Sequence, residues 1–156
     1  MSYDRADMDY STDEDPLPSG HAATHIGIYL AWAVLNGLES DWHRLNSKAQ
    51  IERLQRREIT GAQFFFVACG DRFSEKDLNP EGNLFTRAYY ENGPGKRGPY
   101  FKDYTKSLAS DLSSFWHVED TWDNYDLLAP IITHRFQEWR NPPRKRWWQF
   151  WKHVCA

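Results

Sequence analysis

The sequence predicts a mainly α-helical fold, a single compact domain of about five to seven helices. Its length of 156 residues fits one domain. Apolar residues recur at steps of three and four in several segments, which is the period of a helix face. Eight Trp, eight Tyr and nine Phe supply large buried areas. These aromatic side chains therefore make a core possible despite the polar composition.

The first predicted helix spans about residues 22–36, and its apolar positions follow helical spacing. They are Ala23, Ile26, Gly27, Leu30, Ala31, Val34, Leu35 and Leu38. We expect this helix to end at Asn36-Gly37, because glycine readily adopts the left-handed conformation that closes a helix.

Helix-start signals predict the next elements. Asn46 or Ser47 is suited to cap a helix that runs to about Arg57. Thr60 and Gln63 have the spacing of a capping box, which favours a helix over residues 64–69. Asn79-Pro80 predicts a further helix that ends near residue 91.

The second half of the chain alternates between a loop and helices. Residues 92–99 read as a loop, and a helix is expected over residues 100–108. Residues 115–118 fit either one short strand or an extended segment. A last helix begins at Thr121 or Asp123 and ends near residue 140, with a kink or a restart at Pro130.

Charge and composition divide the chain into three parts. Residues 1–20 form an acidic arm, predicted to be irregular, and residues 21–141 form the helical domain. Residues 142–156 form a basic, Trp-rich C-terminal segment, suited to packing on the domain, to protein binding, or to contact with nucleic acid or lipid. The net charge is −3, in blocks of alternating sign. This arrangement favours internal pairing or a polarised docking face over nucleic-acid binding.

The N-terminus is acidic and polar, unlike a secretory signal, and the sequence lacks a run of 18 apolar residues. Two cysteines, Cys69 and Cys155, are too few for a disulfide framework. We therefore expect a cytoplasmic protein with no membrane contact.

Candidate catalytic residues show no recognisable motif. His21 and His25 share a helix face, but Ala22 stands where a zinc protease helix has glutamate. No nucleophile elbow is present. We expect His25 to be a hydrogen-bonded core histidine, and we expect no catalysis, no metal and no cofactor. The alternatives are a metal-dependent or other enzyme using His21 and His25, or a nucleic-acid adaptor that uses the C-terminal segment.

The segment before the last helix interleaves acidic and aromatic side chains. It is suited to docking, since aromatic residues anchor interfaces and acids attract a basic partner. A helix start above a packed core explains several of the same residues. The predicted partner-binding residues are Asp111, Trp116, Glu119, Asp120, Trp122, Asp123 and Asp126.

Several blocks of the chain resemble a bacterial domain family without an established activity. They are Ala-Thr-His-Ile-Gly at residues 23–27 with Leu-Ala-Trp at residues 30–32, the block at residues 77–91, and the blocks at residues 104–108 and 118–125. The resemblance covers about residues 21–140. Members of that family look similar to immunity proteins of bacterial polymorphic toxin and type VI secretion systems. The resemblance thus implies a protein that binds and neutralises a cognate toxin. The acidic residues before the last helix favour a secreted nuclease with a basic active-site cleft as that toxin.

Overall fold

A computed structural model of the chain describes residues 1–6, 21–91, 93, 95 and 97–142. Its fold is mainly α-helical, as predicted, with one two-stranded antiparallel sheet. The predicted C-terminal segment lies outside the described residues except for residue 142.

The elements follow in chain order. The strands are β1 (Ser2–Arg5) and β2 (Arg72–Ser74). The helices are α1 (Thr24–Leu35), α2 (Asp41–Asn46), α3 (Lys48–Gln55), α4 (Gly61–Phe64), α5 (Pro80–Tyr89), α6 (Pro99–Leu108) and α7 (Trp122–Arg140). None of these helices combines the length and apolar character that a membrane crossing requires.

Helix α1 is the centre of the fold. It is buried on every side from Thr24 to Val34, because nearly all of its side chains are apolar. Asn36 and Gly37 end it as predicted, and Gly37 has φ of 73°. Helix α4 crosses α1 with the two backbones in direct contact at Gly27 and Gly61. A Cβ atom at Gly27 would lie 2.2 Å from the backbone nitrogen of Ala62.

The prediction of an irregular arm is wrong for its first residues. Ser2–Arg5 forms a strand that pairs with β2, with an irregularity between Ser2 and Asp4. The strand is held because Tyr3 is buried against Phe73, with ring centroids 5.1 Å apart. The four residues Ser2–Arg5 contain one apolar side chain, Tyr3, so they show no alternating pattern that would predict a strand. Residues 7–20 of the arm lie outside the described residues.

Capping hydrogen bonds confirm three of the predicted helix starts. Thr60 and Gln63 form the capping box of α4, and the side chain of Asn79 caps α5. Thr121 caps α7 by accepting a hydrogen bond from the backbone of Asn124. The sequence prediction missed the short helix α2, which Ser40 caps.

A π-helical turn, Phe65–Cys69, continues α4. One extra residue per turn rotates the side chains relative to an α-helix. Phe65 is fully buried, whereas Phe66 is 42% exposed and Val67 is 65% exposed. The helix expected over residues 64–69 is therefore present, but two of its apolar residues face solvent.

The short strand or extended segment expected near residues 115–118 is a 3-10 turn, Phe115–His117, followed by an extended Val118. Ser114 starts the turn by accepting a hydrogen bond from the backbone of Trp116. Helix α7 neither ends nor restarts at Pro130, which lies inside it. Helix α7 packs on α1 through Phe136, whose ring lies 5.4 Å from that of Trp32.

Candidate functional site

A shallow groove of about 380 Å3 lies between the start of α4 and the segment that leads into α7. It contains one of the predicted partner-binding pairs, Glu119 and Asp120, beside the partly exposed ring of Phe66. The lining residues are His21, Thr60, Ala62, Gln63, Phe66, Glu119, Asp120 and Thr121.

Asp120 holds the two sides of this groove together. Its carboxylate accepts a short hydrogen bond from the Thr60 hydroxyl and a longer one, 3.4 Å, from the backbone nitrogen of Ala62. Burial raises the pKa of Asp120, and the hydrogen bonds from Thr60 and Ala62 offset only part of this rise. Asp120 was predicted to bind a partner. In the structure, its hydrogen bonds connect residues 119–121 to the start of α4.

Asp126 and Trp122 are both engaged with Arg57. The Arg57 guanidinium donates to both carboxylate oxygens of Asp126, at 2.6 and 2.8 Å, and lowers the pKa of that carboxyl. The same guanidinium lies 4.6 Å above the Trp122 ring. Trp122 in turn packs edge-on against Tyr125. These two predicted residues therefore belong to an internal contact between the α3 end and α7.

Trp116 belongs to an aromatic cluster around His25. Its ring lies 5.3 Å from the His25 ring and 4.9 Å from that of Phe115, edge-on in both cases. The Arg97 guanidinium lies 5.7 Å from the Trp116 ring. Trp116 is half-buried, so part of its surface faces solvent.

In the described part of the chain, three acidic residues differ from the others in forming no salt bridge although they are exposed. They are Asp111, Glu119 and Asp123. Most arginines elsewhere are paired with acids, at Arg5, Arg44, Arg53, Arg56, Arg57, Arg87, Arg135 and Arg140. Among the described residues, the exposed carboxylates without a salt bridge therefore all belong to the predicted partner-binding residues.

His25 is a core histidine, as predicted, with 2% exposure. Its Nε2 atom lies 3.1 Å from Oδ2 of Asp4, which also accepts a hydrogen bond from Tyr90 at 2.7 Å. Burial alone would raise the pKa of Asp4, but the contacts with His25 and Tyr90 lower it overall. His21 lies apart from this network, in the groove. The candidate pair His21 and His25 is thus divided between two environments.

A second group of polar residues is buried between α2, β2 and the π-helical turn. His43 lies with Nδ1 2.9 Å from the Ser47 hydroxyl and with Nε2 3.0 Å from Oδ1 of Asp77. The Cys69 sulfur lies 3.6 Å from the same Nε2 atom, and burial raises the pKa of its thiol. Exposure is 0% for His43 and Asp77, 3% for Ser47 and 8% for Cys69.

Sequence reasoning missed this group because its members are as many as 34 residues apart and match no motif. Ser47 stands at the N-cap of α3, yet its side chain makes no capping hydrogen bond. It is directed at His43 instead. The order Ser47, His43, Asp77 resembles that of a serine hydrolase site. The Ser47 hydroxyl is nevertheless too deeply buried in this conformation for a substrate to reach it.

Comparison with known families gives one match. A family model described as a domain of unknown function (DUF7832) matches residues 2–118. The match begins within β1, in agreement with the packing of that strand on the domain. No curated protein and no solved structure shows significant similarity to the chain. Membership in a family without an established activity, expected from the sequence, is thereby confirmed, but the match covers residues 2–118 and not the expected residues 21–140.

Proposed function

We propose that this chain, which belongs to the DUF7832 family, is an immunity-type protein that binds and neutralises a cognate toxin in the cytoplasm. It acts by protein–protein contact and catalyses no reaction of its own. The observation that carries the proposal is that Glu119, an exposed carboxylate without a salt bridge to any described residue, lines the groove together with the partly exposed ring of Phe66. The immunity role itself is supported by the sequence resemblance described above.

The proposed docking surface combines Glu119 and Asp123 with Phe66 and Val67. Exposed acids attract a positively charged partner and raise its association rate, whereas an exposed ring supplies contact area. Asp111 and the half-buried Trp116 remain further candidate contacts, as the sequence predicts. Asp120 contributes by holding the groove in shape.

A secreted nuclease is the partner that fits this charge best. Nucleases bind phosphate groups in basic clefts, and carboxylates can occupy the same positions as phosphates. Glu119 is at the groove itself, where the side chain of a partner arginine or lysine would lie against Phe66. Occupation of the cleft by this surface would exclude the nucleic acid and stop the toxin.

The test uses the effector encoded beside this chain, purified with its active site inactivated. We expect the two proteins to form a stable complex and the chain to inhibit the active effector. The double variant Glu119→Lys/Asp123→Lys should lower the association rate at least about tenfold at low salt. The difference should shrink as salt rises, because exposed charges are screened.

Asp41→Lys is the matched control, since Asp41 is exposed and lies on α2, outside the groove lining. It should leave the association rate close to that of the unaltered protein. Asp41→Lys changes the net charge by half as much as the double variant. If it lowered the logarithm of the association rate by half as much, net charge alone would explain binding and the groove would not be the docking site. Absence of any complex with the neighbouring effector would remove the immunity assignment.

A further inference from the structure

Three potential metal-binding atoms from different parts of the chain converge in the core. They are Nε2 of His43 in α2, Sγ of Cys69 at the end of the π-helical turn, and a carboxylate oxygen of Asp77. All three atoms lie within 4.8 Å of one another. Nε2 lies 3.6 Å from the sulfur and 3.0 Å from Oδ1 of Asp77.

We propose that His43, Cys69 and Asp77 bind one divalent transition-metal ion of the zinc type. Imidazole nitrogen, thiolate and carboxylate are the three ligand types that zinc takes from proteins. Tetrahedral zinc with bonds of roughly 2.0–2.3 Å places neighbouring ligand atoms about 3.3–3.5 Å apart. The observed separations from Nε2 bracket this spacing, so small side-chain movements suffice to enclose an ion.

Two of the three ligands are already oriented by other contacts. The Nδ1 atom of His43 is directed at the Ser47 hydroxyl, at 2.9 Å, which leaves Nε2 for the ion. The second carboxylate oxygen of Asp77 accepts hydrogen bonds from the backbone and hydroxyl of Ser74, at 2.7 and 3.0 Å. Metal-binding side chains in proteins are typically held in this way through the atom that does not touch the metal.

Charge balance also favours a cation at this position. Asp77 is fully buried, and its salt-bridge partner among the described residues is His43. When the ion binds, the Cys69 thiol releases its proton to solvent. The imidazole keeps its proton on Nδ1 and donates it in a hydrogen bond to the Ser47 hydroxyl oxygen. The two positive charges of the ion are then matched by the thiolate and the carboxylate.

This site is independent of the proposed docking surface, since none of its ligands lines the groove. The ion would connect α2, the π-helical turn and the residues after β2. It would thus join three segments that the fold otherwise links through hydrogen bonds and packing. The expected role is structural, comparable to that of metals that stabilise small domains.

The test uses the full-length protein, stripped of metal with a chelator and titrated with Co2+. We expect one equivalent to bind and to produce the near-ultraviolet absorption band of a cobalt–thiolate bond, which Zn2+ then abolishes by displacement. Cys69→Ser should remove the band, whereas Cys155→Ser should retain it. Ser47→Ala should weaken Zn2+ binding about 10–100-fold, as removal of an orienting partner does.

Several outcomes would overturn the metal site. They are a protein that takes up no cobalt, a band that survives Cys69→Ser, and a band that Cys155→Ser removes. The measurement on the unaltered protein decides the question even if Cys69→Ser fails to fold. The variant Glu119→Lys/Asp123→Lys should bind cobalt normally, so failure of the docking proposal and failure of the metal proposal are distinguishable.

Discussion

Nε2 of His25 lies 3.1 Å from Oδ2 of Asp4, and this contact attaches the N-terminal strand to the buried helix α1. The Tyr90 hydroxyl donates to the same oxygen. One carboxylate therefore joins β1, α1 and the end of α5. A residue from the predicted irregular arm thus has a structural role in the core.

Replacement of Asp4 by alanine should destabilise the fold by about 2 kcal/mol, because it leaves two buried polar groups without their acceptor. Chemical denaturation would measure the change in the free energy of unfolding. Asp71→Ala is the control, since Asp71 pairs with Arg5 at the exposed edge of the same sheet. A loss no larger than that of the control would show that the Asp4 carboxylate does not help to hold β1 on the domain.

The stabilisation by Asp4 should depend on pH in a defined direction. The pKa of Asp4 is lower in the folded protein than in the unfolded chain, because the contacts with His25 and Tyr90 outweigh burial. Its contribution is therefore fully present above the unfolded pKa, and it is lost as pH falls through the folded pKa. The stability difference between the unaltered protein and Asp4→Asn should shrink as the solution is acidified. A difference that grows in acid would contradict this assignment.

Gly27→Ala should destabilise the protein by about 2 kcal/mol or more, although alanine is the better helix former. The added Cβ atom would meet backbone atoms of α4 at 2.2 Å, and both helices would have to separate. Thermal unfolding would measure the effect. Gly82→Ala should lose less stability, because its added Cβ atom would lie 3.0 Å from the nearest atom, the backbone oxygen of Leu38. An unchanged or raised melting temperature for Gly27→Ala would contradict the crossing.

Phe65 and Phe66 are a matched pair that tests which side of the π-helical turn is buried. Phe65→Ala should cost about 3–5 kcal/mol, as truncation of a buried ring does. Phe66→Ala should have a much smaller effect on stability and should weaken partner binding, because this ring is partly exposed beside the groove. Similar losses of stability for the two variants would contradict the exposure of the Phe66 ring.

Asp120→Asn should lose less stability than Asp120→Ala, since Thr60 and Ala62 donate to different carboxylate oxygens and the one amide oxygen of asparagine can still accept from one of them. Asp120→Ala should lose about 1–2 kcal/mol, because both donors are left without an acceptor. The free energy of unfolding of both variants, measured at neutral pH, tests this. If asparagine destabilises as strongly as alanine, both carboxylate oxygens of Asp120 are required as acceptors.

The helices were predictable where local signals agree. The apolar residues of α1 and the caps at Thr60, Asn79 and Thr121 lie within a few residues of the elements that they define. Strand β1 was not predictable in this way, because it is held by contacts with residues far along the chain. The π-helical turn was also hidden, since residues 64–69 form one continuous apolar run.

The candidate docking segment was predictable in part. Its composition predicts partner contacts at Asp111, Glu119 and Asp123, and in the structure these three acids are exposed and form no salt bridge with the described residues. It did not indicate that Asp120 and Asp126 are bonded to Thr60 and Arg57, because those partners come from other helices. The group around His43 had no local signal, since its residues meet only when α2 packs beside β2 and the π-helical turn.

The backbone contact between Gly27 and Gly61 has a consequence for recognition. The residue before Gly61 forms one wall of the groove, so this wall cannot shift unless the central helix shifts with it. A preorganised surface loses little conformational entropy when a partner binds. Related chains that bind different partners are therefore expected to differ in the side chains at the rim of the groove. The packing of α1 against α4 is expected to stay the same. Differences in affinity among these chains should then appear mainly in the lifetime of the complex.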